Sequence, residues 1–401
     1  MILILFMNKS KLTLQNKKII ESTHTLAYSA SQALRDYLRT NNCGEFYYID
    51  HPLPGHDVTF GDKSYIEKSV GNSITEKKEA RRKYINLFLN VFYEMYLTLT
   101  WAMQTKKTFD LYIGIDNINA FEGIILKKLG KVKRVVYYTI DLFPTRFENK
   151  LLNFFYHWLD AFCVTHVDET WNVSPVMADF RDQRGTVDKK KYPNQYTVPI
   201  GIFFDKAPRK PFEKIDKSKL IFVGHLLPHM GVDLVIRAMP AIVNKIPHAH
   251  LEIIGGGEEL SNLKMLSKKM HIEKKVKFYG WVRDRKKLEN ILSTGAIGLA
   301  TFNTDILDEK VKNADPGKIK DYMQLGMPVI VTDAISTKDS IAKAKAGIVI
   351  HYNEKELVDA VTELLNNKNK LKAYRNNALK YVSQFDYNRL FDKNLSRVLS
   401  K

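Results

Sequence analysis

Short runs of apolar, β-branched and aromatic residues recur along this chain. Between most of them lie longer stretches in which apolar positions return every three or four residues, the alternation of buried strands with amphipathic helices. In the first half, Lys17–Glu21 predicts a strand. The spacing of Ala30, Ala33, Leu34, Tyr37 and Leu38 predicts a helix over 29–39. Glu45–Ile49 predicts a second strand, closed by the breaker Pro52-Leu53-Pro54-Gly55. Residues 58–72 read as an excursion such as a hairpin, and 84–103 as a long apolar helix. Strands at 110–115, 134–139, 168–173 and 196–199 then alternate with helices at 120–129, 151–162 and 176–181.

The pattern restarts after residues 199–216, where prolines and alternating charge predict a linker. Strands at 219–223, 250–254, 276–279, 297–300 and 329–331 alternate with helices at 232–244, 258–270, 285–292 and a stretch ending at Gly326. Pro240 predicts a kink or turn in the first of these helices. A helical tail runs from Glu354. Strand–helix alternation of this kind predicts α/β architecture with parallel, doubly wound sheets. The expected division is a first domain over 1–200, a hinge over 201–216 and a second domain over 217–401. The terminal helix is one that can cross back to the first domain.

With 401 residues, the chain is long enough for two cores. Its formal charge is +18; residues 1–200 carry 27 basic and 21 acidic side chains, so the excess is heavier in the second half. Such a charge suits phosphate-bearing ligands or anionic surfaces. Neither a compact arginine-rich arm nor a nucleic-acid-binding motif is present, so a nucleic-acid partner is not expected. Two isolated cysteines, Cys43 and Cys163, give neither a disulfide framework nor a zinc pattern and fit a reducing compartment. The apolar run 1–7 lacks the features of a signal peptide. The 84–103 run has nearly the length of a membrane span, but Asn86, Asn90, Glu94, Thr98 and Thr100 interrupt it. It reads first as a buried helix. Its aromatic content and basic ends keep an interfacial helix open. The expected location is cytoplasmic, with peripheral contact at the inner face of the membrane as a further option.

Candidate chemistry gathers where strands end. Asp315-Pro316-Gly317-Lys318 is a turn leading into a helix, whose free backbone N–H groups and lysine suit a phosphate. Asp321 lies one turn further on, placed to accept hydrogen bonds from sugar hydroxyls. Gly224-His225 follows one strand, and Gly255-Gly256-Gly257 the next, where the missing side chains let a ligand approach the backbone. Trp281-Val282 follows a third, where the indole suits the edge of a base. An ordinary set of turns would look similar residue by residue; the ordered set on one sheet edge carries the signal. In the first half, the loop after the first strand holds His24 and has no Gly-x-Gly-x-x-Gly fingerprint. Asp141 and Arg146 follow another strand. Asp141 reads either as a site carboxylate, or as a helix N-cap or ion-pair partner of Arg146.

Phe222-Val223-Gly224, Gly231 to Ile236, Ile253 to Gly257, Phe278 to Val282 and Asp321-Tyr322 through Gly326-Met327-Pro328-Val329-Ile330 keep their order and spacing over residues 219–350. This set resembles the nucleotide-sugar domain of GT-B glycosyltransferases, above all the large retaining family numbered four, the group 1 enzymes. The resemblance implies two Rossmann-like domains with an interdomain cleft. It also implies transfer of a sugar, with retention, from a nucleoside-diphosphate sugar to an acceptor hydroxyl in glycan, glycolipid or polysaccharide synthesis. Donor contacts would come from Gly224, His225, Gly256, Trp281, Val282, Asp315, Pro316, Gly317, Lys318 and Asp321. His24 and Asp141 would be the catalytic candidates, with Arg146 on the acceptor side. The family's Arg and Lys after the first strand of that domain are replaced by His225 and Met230, and the first of its two acidic residues by Asn313, which moves weight onto Lys318. No metal and no cofactor beyond the donor are expected: there is no Asp-x-Asp, and Asp305 and Asp308 stand three apart. The acceptor would be a glycan or a lipid-linked glycan. A sugar-nucleotide epimerase and a non-catalytic partner subunit on the same fold are the alternatives.

Overall fold

The computed structural model describes residues 14–24, 29–51, 63–81, 87–307 and 317–400. The chain forms two compact units, Met1–Ile200 with Tyr387–Lys401, and Gly201–Asp386. The first holds an eight-stranded sheet built from β1 (Lys18–Thr23), β2 (Glu45–Asp50), β3 (Lys63–Val70), β4 (Ser73–Arg81), β5 (Leu111–Ile115), β6 (Val135–Thr139), β7 (Glu169–Asn172) and β8 (Gln195–Thr197). Its order is β4-β3-β2-β1-β5-β6-β7-β8. From β2 to β8 every pairing is parallel, with Ile19 of β1 level with Phe46 and Leu111. These inner strands are buried on both faces, which is why they read as continuous apolar runs.

The excursion after β2 is a hairpin, as the sequence pattern suggests, but it runs on to Arg81, past the expected 58–72. β3 and β4 form an antiparallel hairpin added to the β2 edge. β4 is exposed almost throughout, so Glu76, Lys77, Lys78 and Glu79 leave no apolar alternation to detect. Its charges also blunt the open edge against pairing with another chain.

The second unit has six parallel strands, β9 (Lys219–Val223), β10 (His250–Ile254), β11 (Val276–Gly280), β12 (Ile297–Ala300), β13 (Val329–Thr332) and β14 (Gly347–Ile350), in the order β11-β10-β9-β12-β13-β14. The chain winds outward from β9 through β10 and β11, then returns to lay β12 on the other side of β9. That reversal opens a crevice at the carboxyl ends of β9 and β12, the place where open α/β sheets bind ligands. The first unit has the same reversal between β1 and β5. Phe222, Leu251, Ile253, Leu299 and Ile330 fill the second core beneath this edge.

Several elements differ from the sequence reading. Helix Val232–Lys245 runs through Pro240 as one element. β14 and the short helix Lys338–Lys343 stand between β13 and the tail, where the sequence pattern predicts nothing. The tail is three helices, Glu354–Leu365, Lys368–Val382 and Tyr387–Ser400. The last belongs to the first unit, where Arg397 donates through Nε and a terminal nitrogen to the buried Glu169, at 2.8 to 3.1 Å, and its guanidinium lies over Tyr196. Residues 201–216 belong to the second unit rather than forming a free linker. Ile202 and Ile215 are buried, and Arg209 donates to the Gln324 carbonyl at 2.7 Å.

Among the described residues no helix is long and apolar enough to cross a membrane. Both cysteines are free and buried, and burial pushes the Cys43 thiol up to about 12.

Candidate active site

In the second unit the glycines after β9 and β10 let two loops touch. Gly224, Gly255 and Gly257 have φ of +139°, +138° and +153°, a region that side chains rarely adopt. A Cβ on Gly255 would lie 1.9 Å from the Gly224 carbonyl oxygen, and one on Gly257 2.4 Å from that of Leu226. A Cβ on Gly256 would lie 2.5 Å from Trp281 Nε1, so the indole lies directly against that backbone. His225 meets the same ring edge-on at 4.7 Å. Trp281 remains 57% exposed, which leaves indole surface open. Val282 is half-buried against the core.

Helix Gly317–Gln324 presents Lys318 and Asp321 to this edge. Tyr322 is the pin that holds it. Its buried hydroxyl accepts from the Val223 N–H at 2.7 Å and donates to the Leu299 carbonyl at 3.2 Å, bridging the ends of β9 and β12. Gly298 leaves room for the ring, since a Cβ there would come within 2.4 Å of it. So fixed, the helix sends the Lys318 amine to the first loop, 3.3 Å from where a Gly224 side chain would begin. Among the described residues its neighbours are the Met230 thioether at 3.5 Å and the rings of Phe222 and Phe302, at 4.5 and 4.8 Å from their centroids. This cage stabilises a cation through the ring faces but strips its water. The loss of water pulls the amine down to about 7. Asp321 is half-buried and accepts from Gln324 Nε2 at 2.9 Å. Asp315 and Pro316 lie outside the described residues.

In the first unit, His24 ends the segment after β1. Its Nε2 lies 3.1 Å from the buried Glu94 carboxylate, and its Nδ1 2.8 Å from Asn119 Nδ2. The Asn119 amide is oriented by its other bonds: its oxygen accepts from Ser22 and its nitrogen donates to the Ile115 carbonyl. His24 Nδ1 therefore accepts, and Nε2–H donates to Glu94. Both ring nitrogens are engaged, so in this arrangement the imidazole braces the loop rather than offering a free base. Beneath it, Glu122 accepts from Tyr112 at 3.1 Å, and burial pushes its carboxyl up to about 8.

Asp141 follows β6 and neither caps a helix nor forms an ion pair among the described residues. The cap of helix Lys150–His166 is Asn149, and the Arg146 guanidinium lies over Phe143 and Tyr156. Burial raises the Asp141 carboxyl above its ordinary value, opposed by Arg146. A residue that the sequence reading passed over stands close by. Asp116 directly follows β5 in a left-handed conformation, φ +65°, which costs a non-glycine residue about 1–3 kcal/mol. Its carboxyl is pushed up to about 6, first by burial and then by the Asp141 charge, with Arg146 and His24 acting the other way. Asp116, Asp141, Arg146 and His24 thus form one electrostatic group on the edge of β1, β5 and β6. A carboxylate directly after an apolar strand, the feature that singles out Asp141, was the available signal for Asp116. For Glu94 it was a lone carboxylate within an apolar helix.

Two Rossmann-like units, one with a glycine-lined edge and a reaching lysine, make up a GT-B fold. Residues 203–381 match the family model described as glycosyl transferases group 1. An uncharacterized glycosyltransferase of Haemophilus influenzae is 25% identical over 184 residues, covering 45% of this chain and 49% of that protein. A GDP-mannose-dependent α-(1-6)-phosphatidylinositol monomannoside mannosyltransferase of Mycobacterium tuberculosis is 25% identical over 167 residues, 39% of this chain and 40% of that protein. The chain thus spans about half or less of these curated relatives. Among solved structures, HepE of Anabaena in complex with UDP superposes with a TM-score of 0.68 at 14% identity, covering 96% of this chain and 99% of that one, a likeness of fold.

Proposed function

We propose that this protein transfers a sugar from a nucleoside-diphosphate sugar to an acceptor hydroxyl, with retention and without a metal, in glycan or glycolipid synthesis. The observation that carries this is the Lys318 amine held against Gly224 in the domain that matches the group 1 family. An amine in an aromatic cage with no carboxylate beside it among the described residues is built to meet an anion. The diphosphate sits over Gly224 and Gly256, Asp321 takes the ribose hydroxyls, and Trp281 and Val282 border the base. His225 faces the phosphates, with Asp315, Pro316 and Gly317 leading into the helix that receives them. Retention requires the acceptor oxygen to bond to the anomeric carbon on the face that the phosphate oxygen leaves, as the bond from that carbon to the phosphate oxygen breaks. The diphosphate leaves with the electron pair, its charge met by Lys318. The hydroxyl proton passes to Asp141, with Asp116 beside it and Arg146 steadying the acceptor. The M. tuberculosis relative uses GDP-mannose and the Anabaena structure holds UDP, so both bases belong in the donor panel.

Calorimetry against nucleotide sugars, followed by assay of nucleoside diphosphate released with and without glycan acceptors, tests this. Binding of at least one donor and acceptor-dependent release are expected. Failure to bind any donor overturns the reading. Binding with no release, or with epimerised donor as the product, assigns the fold to a partner subunit or an epimerase.

A further inference from the structure

In the first unit the hairpin β3–β4 carries the sheet past the helix that packs on it, and the overhang leaves a trough. Tyr47, Lys68 and Glu76 stand level across β2, β3 and β4, with Ile66 level with Lys78 beside them, so that all five share one face. Helix Leu87–Gln104 covers the inner part of that face through Leu97, Trp101 and Ala102, which share a core with Tyr47 and Ile66. Where the helix ends, a cavity of about 240 Å³ opens between it and β4. A water needs about 10–15 Å³ of such space, so a ligand the size of one sugar ring fits.

The walls set aromatic surface against idle polar groups, the composition of a small-molecule site. Tyr47 and Trp101 line one side, and His51 stacks on the indole at 6.3 Å and steadies it. The Gln104 amide and the Lys68 amine also line the trough, and among the described residues neither makes a hydrogen bond. The Thr105 hydroxyl donates to the Ala102 carbonyl at 2.8 Å, which leaves its oxygen able to accept. A pyranose matches this set, because it has an apolar face of C–H groups and a rim of hydroxyls that both donate and accept.

The charge balance selects an acidic one. Among the described residues, three lysines line the trough against one carboxylate, Glu76, which pairs with Lys78 at 3.2 Å in the solvent-exposed rim. Glu45, at the foot, is spent on Lys107, whose amine lies 2.7 Å from both of its oxygens. Glu67 and Glu79 lie on the opposite face of the hairpin with Lys77, and Asp110 is held by Lys133 at 2.8 Å. The carboxyl end of helix Leu87–Gln104 is a negative pole. Lys106 and Lys107 follow it directly, and Lys131 donates to the Lys107 carbonyl at 3.4 Å. Lys68 is left with the loosest partner, the Glu45 carboxylate at 3.7 Å. A ligand carboxylate or phosphate supplies the hydrogen bonds that this amine lacks.

We propose that this trough binds one acidic sugar, a pyranose that carries a carboxylate or a phosphate. Its apolar face lies on Trp101 and Tyr47, its hydroxyls meet Gln104, Thr105 and Glu76, and its acid group meets Lys68 and Lys78. The trough lies toward the start of β2, at the opposite end of the sheet from Asp116 and Asp141, so it is a site apart from the candidate active site. On the transferase reading it grips a glycan away from the hydroxyl being extended; the binding itself rests on the trough alone and holds whether or not that reading does.

Saturation-transfer NMR of the full chain with glucuronate, glucose 6-phosphate, glucose and inorganic phosphate tests it, with no nucleotide sugar present. Transfer to the ring protons of glucuronate, glucose 6-phosphate or both is expected, the pair telling carboxylate from phosphate, with glucose at least about tenfold weaker. Lys68→Met is expected to weaken the acidic sugar about tenfold and Gln104→Ala, at an exposed position, about threefold, each with the thermal midpoint at its wild-type value. Absence of transfer to either acid, equal affinity for glucose, or unchanged affinity in both variants overturns the proposal. Inorganic phosphate that displaces glucose 6-phosphate at equal concentration also overturns it, since the lysines then take a bare anion and no sugar.

Discussion

A lysine that loses its water in an aromatic cage must regain a proton to serve a diphosphate, and that makes donor binding depend on pH. In the empty site the Lys318 amine titrates at about 7. A bound diphosphate supplies the missing counter-charge and favours the protonated form, so the amine returns toward its ordinary value of about 10.4. Below pH 7 the amine is already charged and affinity is level. Above it, binding takes up a proton, and each further pH unit costs up to about 1.4 kcal/mol. Between about pH 7 and 8.5 the two values give a loss of donor affinity of roughly 15-fold, about 1.6 kcal/mol. Calorimetry of a nucleotide sugar in buffers of different ionisation enthalpy reads both the affinity and the proton taken up. Lys318→Arg, charged throughout this range, should bind with no such slope. Lys318→Met should bind weakly at every pH and, because the empty site no longer holds an amine that burial disfavours, should raise the stability of the unliganded protein near neutral pH. The amine's folded value lies below its unfolded one, so the wild-type protein should itself grow more stable as pH rises from 7 toward 10. Wild-type affinity that stays flat from pH 7 to 8.5 with no proton uptake would refute the reasoning.

Four further outcomes follow from other contacts. Tyr322→Phe removes the acceptor of the Val223 N–H and should cost about 1–3 kcal/mol in denaturant unfolding, with weaker donor binding because the helix that carries Lys318 loosens. Asp160→Ala strands the buried Arg181, which now donates two bonds to that carboxylate at 2.7 and 2.8 Å. A loss of about 3–5 kcal/mol is expected, read by thermal or chemical denaturation. Asp141→Asn should lower kcat about 100-fold or more with donor affinity unchanged. In the wild-type protein kcat should rise with pH through the acid range as Asp141, raised by burial against the pull of Arg146, loses its proton, with Asp116 at about 6 titrating beside it; a pH-rate profile measures it.

Much of the fold was legible because buried parallel strands leave a strong mark. β5, β6, β9, β10 and β12 are short apolar runs with glycine, proline or a carboxylate at their ends, and each lies within a residue or two of its expected place. β4 and β14 were not legible, for opposite reasons. β4 is solvated on both sides, so nothing selects apolar residues. β14 is four residues long and half-buried at the sheet edge, too short for a period to show. The sequence pattern leaves the last helix able to cross back to the first domain, but the contact that holds it there, Arg397 on Glu169 at 228 positions' separation, is one no local pattern can announce. The same limit governs His24: its place in the loop is readable, but the engagement of both its nitrogens depends on Glu94 and Asn119, which arrive from two other elements.

The relocation of positive charge in the second unit shows how fold and sequence divide the work. Two positions after β9 that would carry cations hold His225 and Met230 instead, and the sequence alone reads this as a deficit. In the folded domain the deficit is local to that loop. Helix Gly317–Gln324 enters from the far side of the sheet reversal, and Tyr322 fixes its distance from β9. The Lys318 chain then ends against Gly224 with its nitrogen on Met230. The thioether is thus part of the change: a lysine at 230 would place two cations in one cage and repel this one, whereas a polarizable, uncharged sulfur tolerates it. Gly224 belongs to the same unit, because any side chain there would press on the amine at 3.3 Å. Gly224, Met230 and Lys318 therefore act as one device, and the positive charge at this edge is set by the helix rather than by the loop.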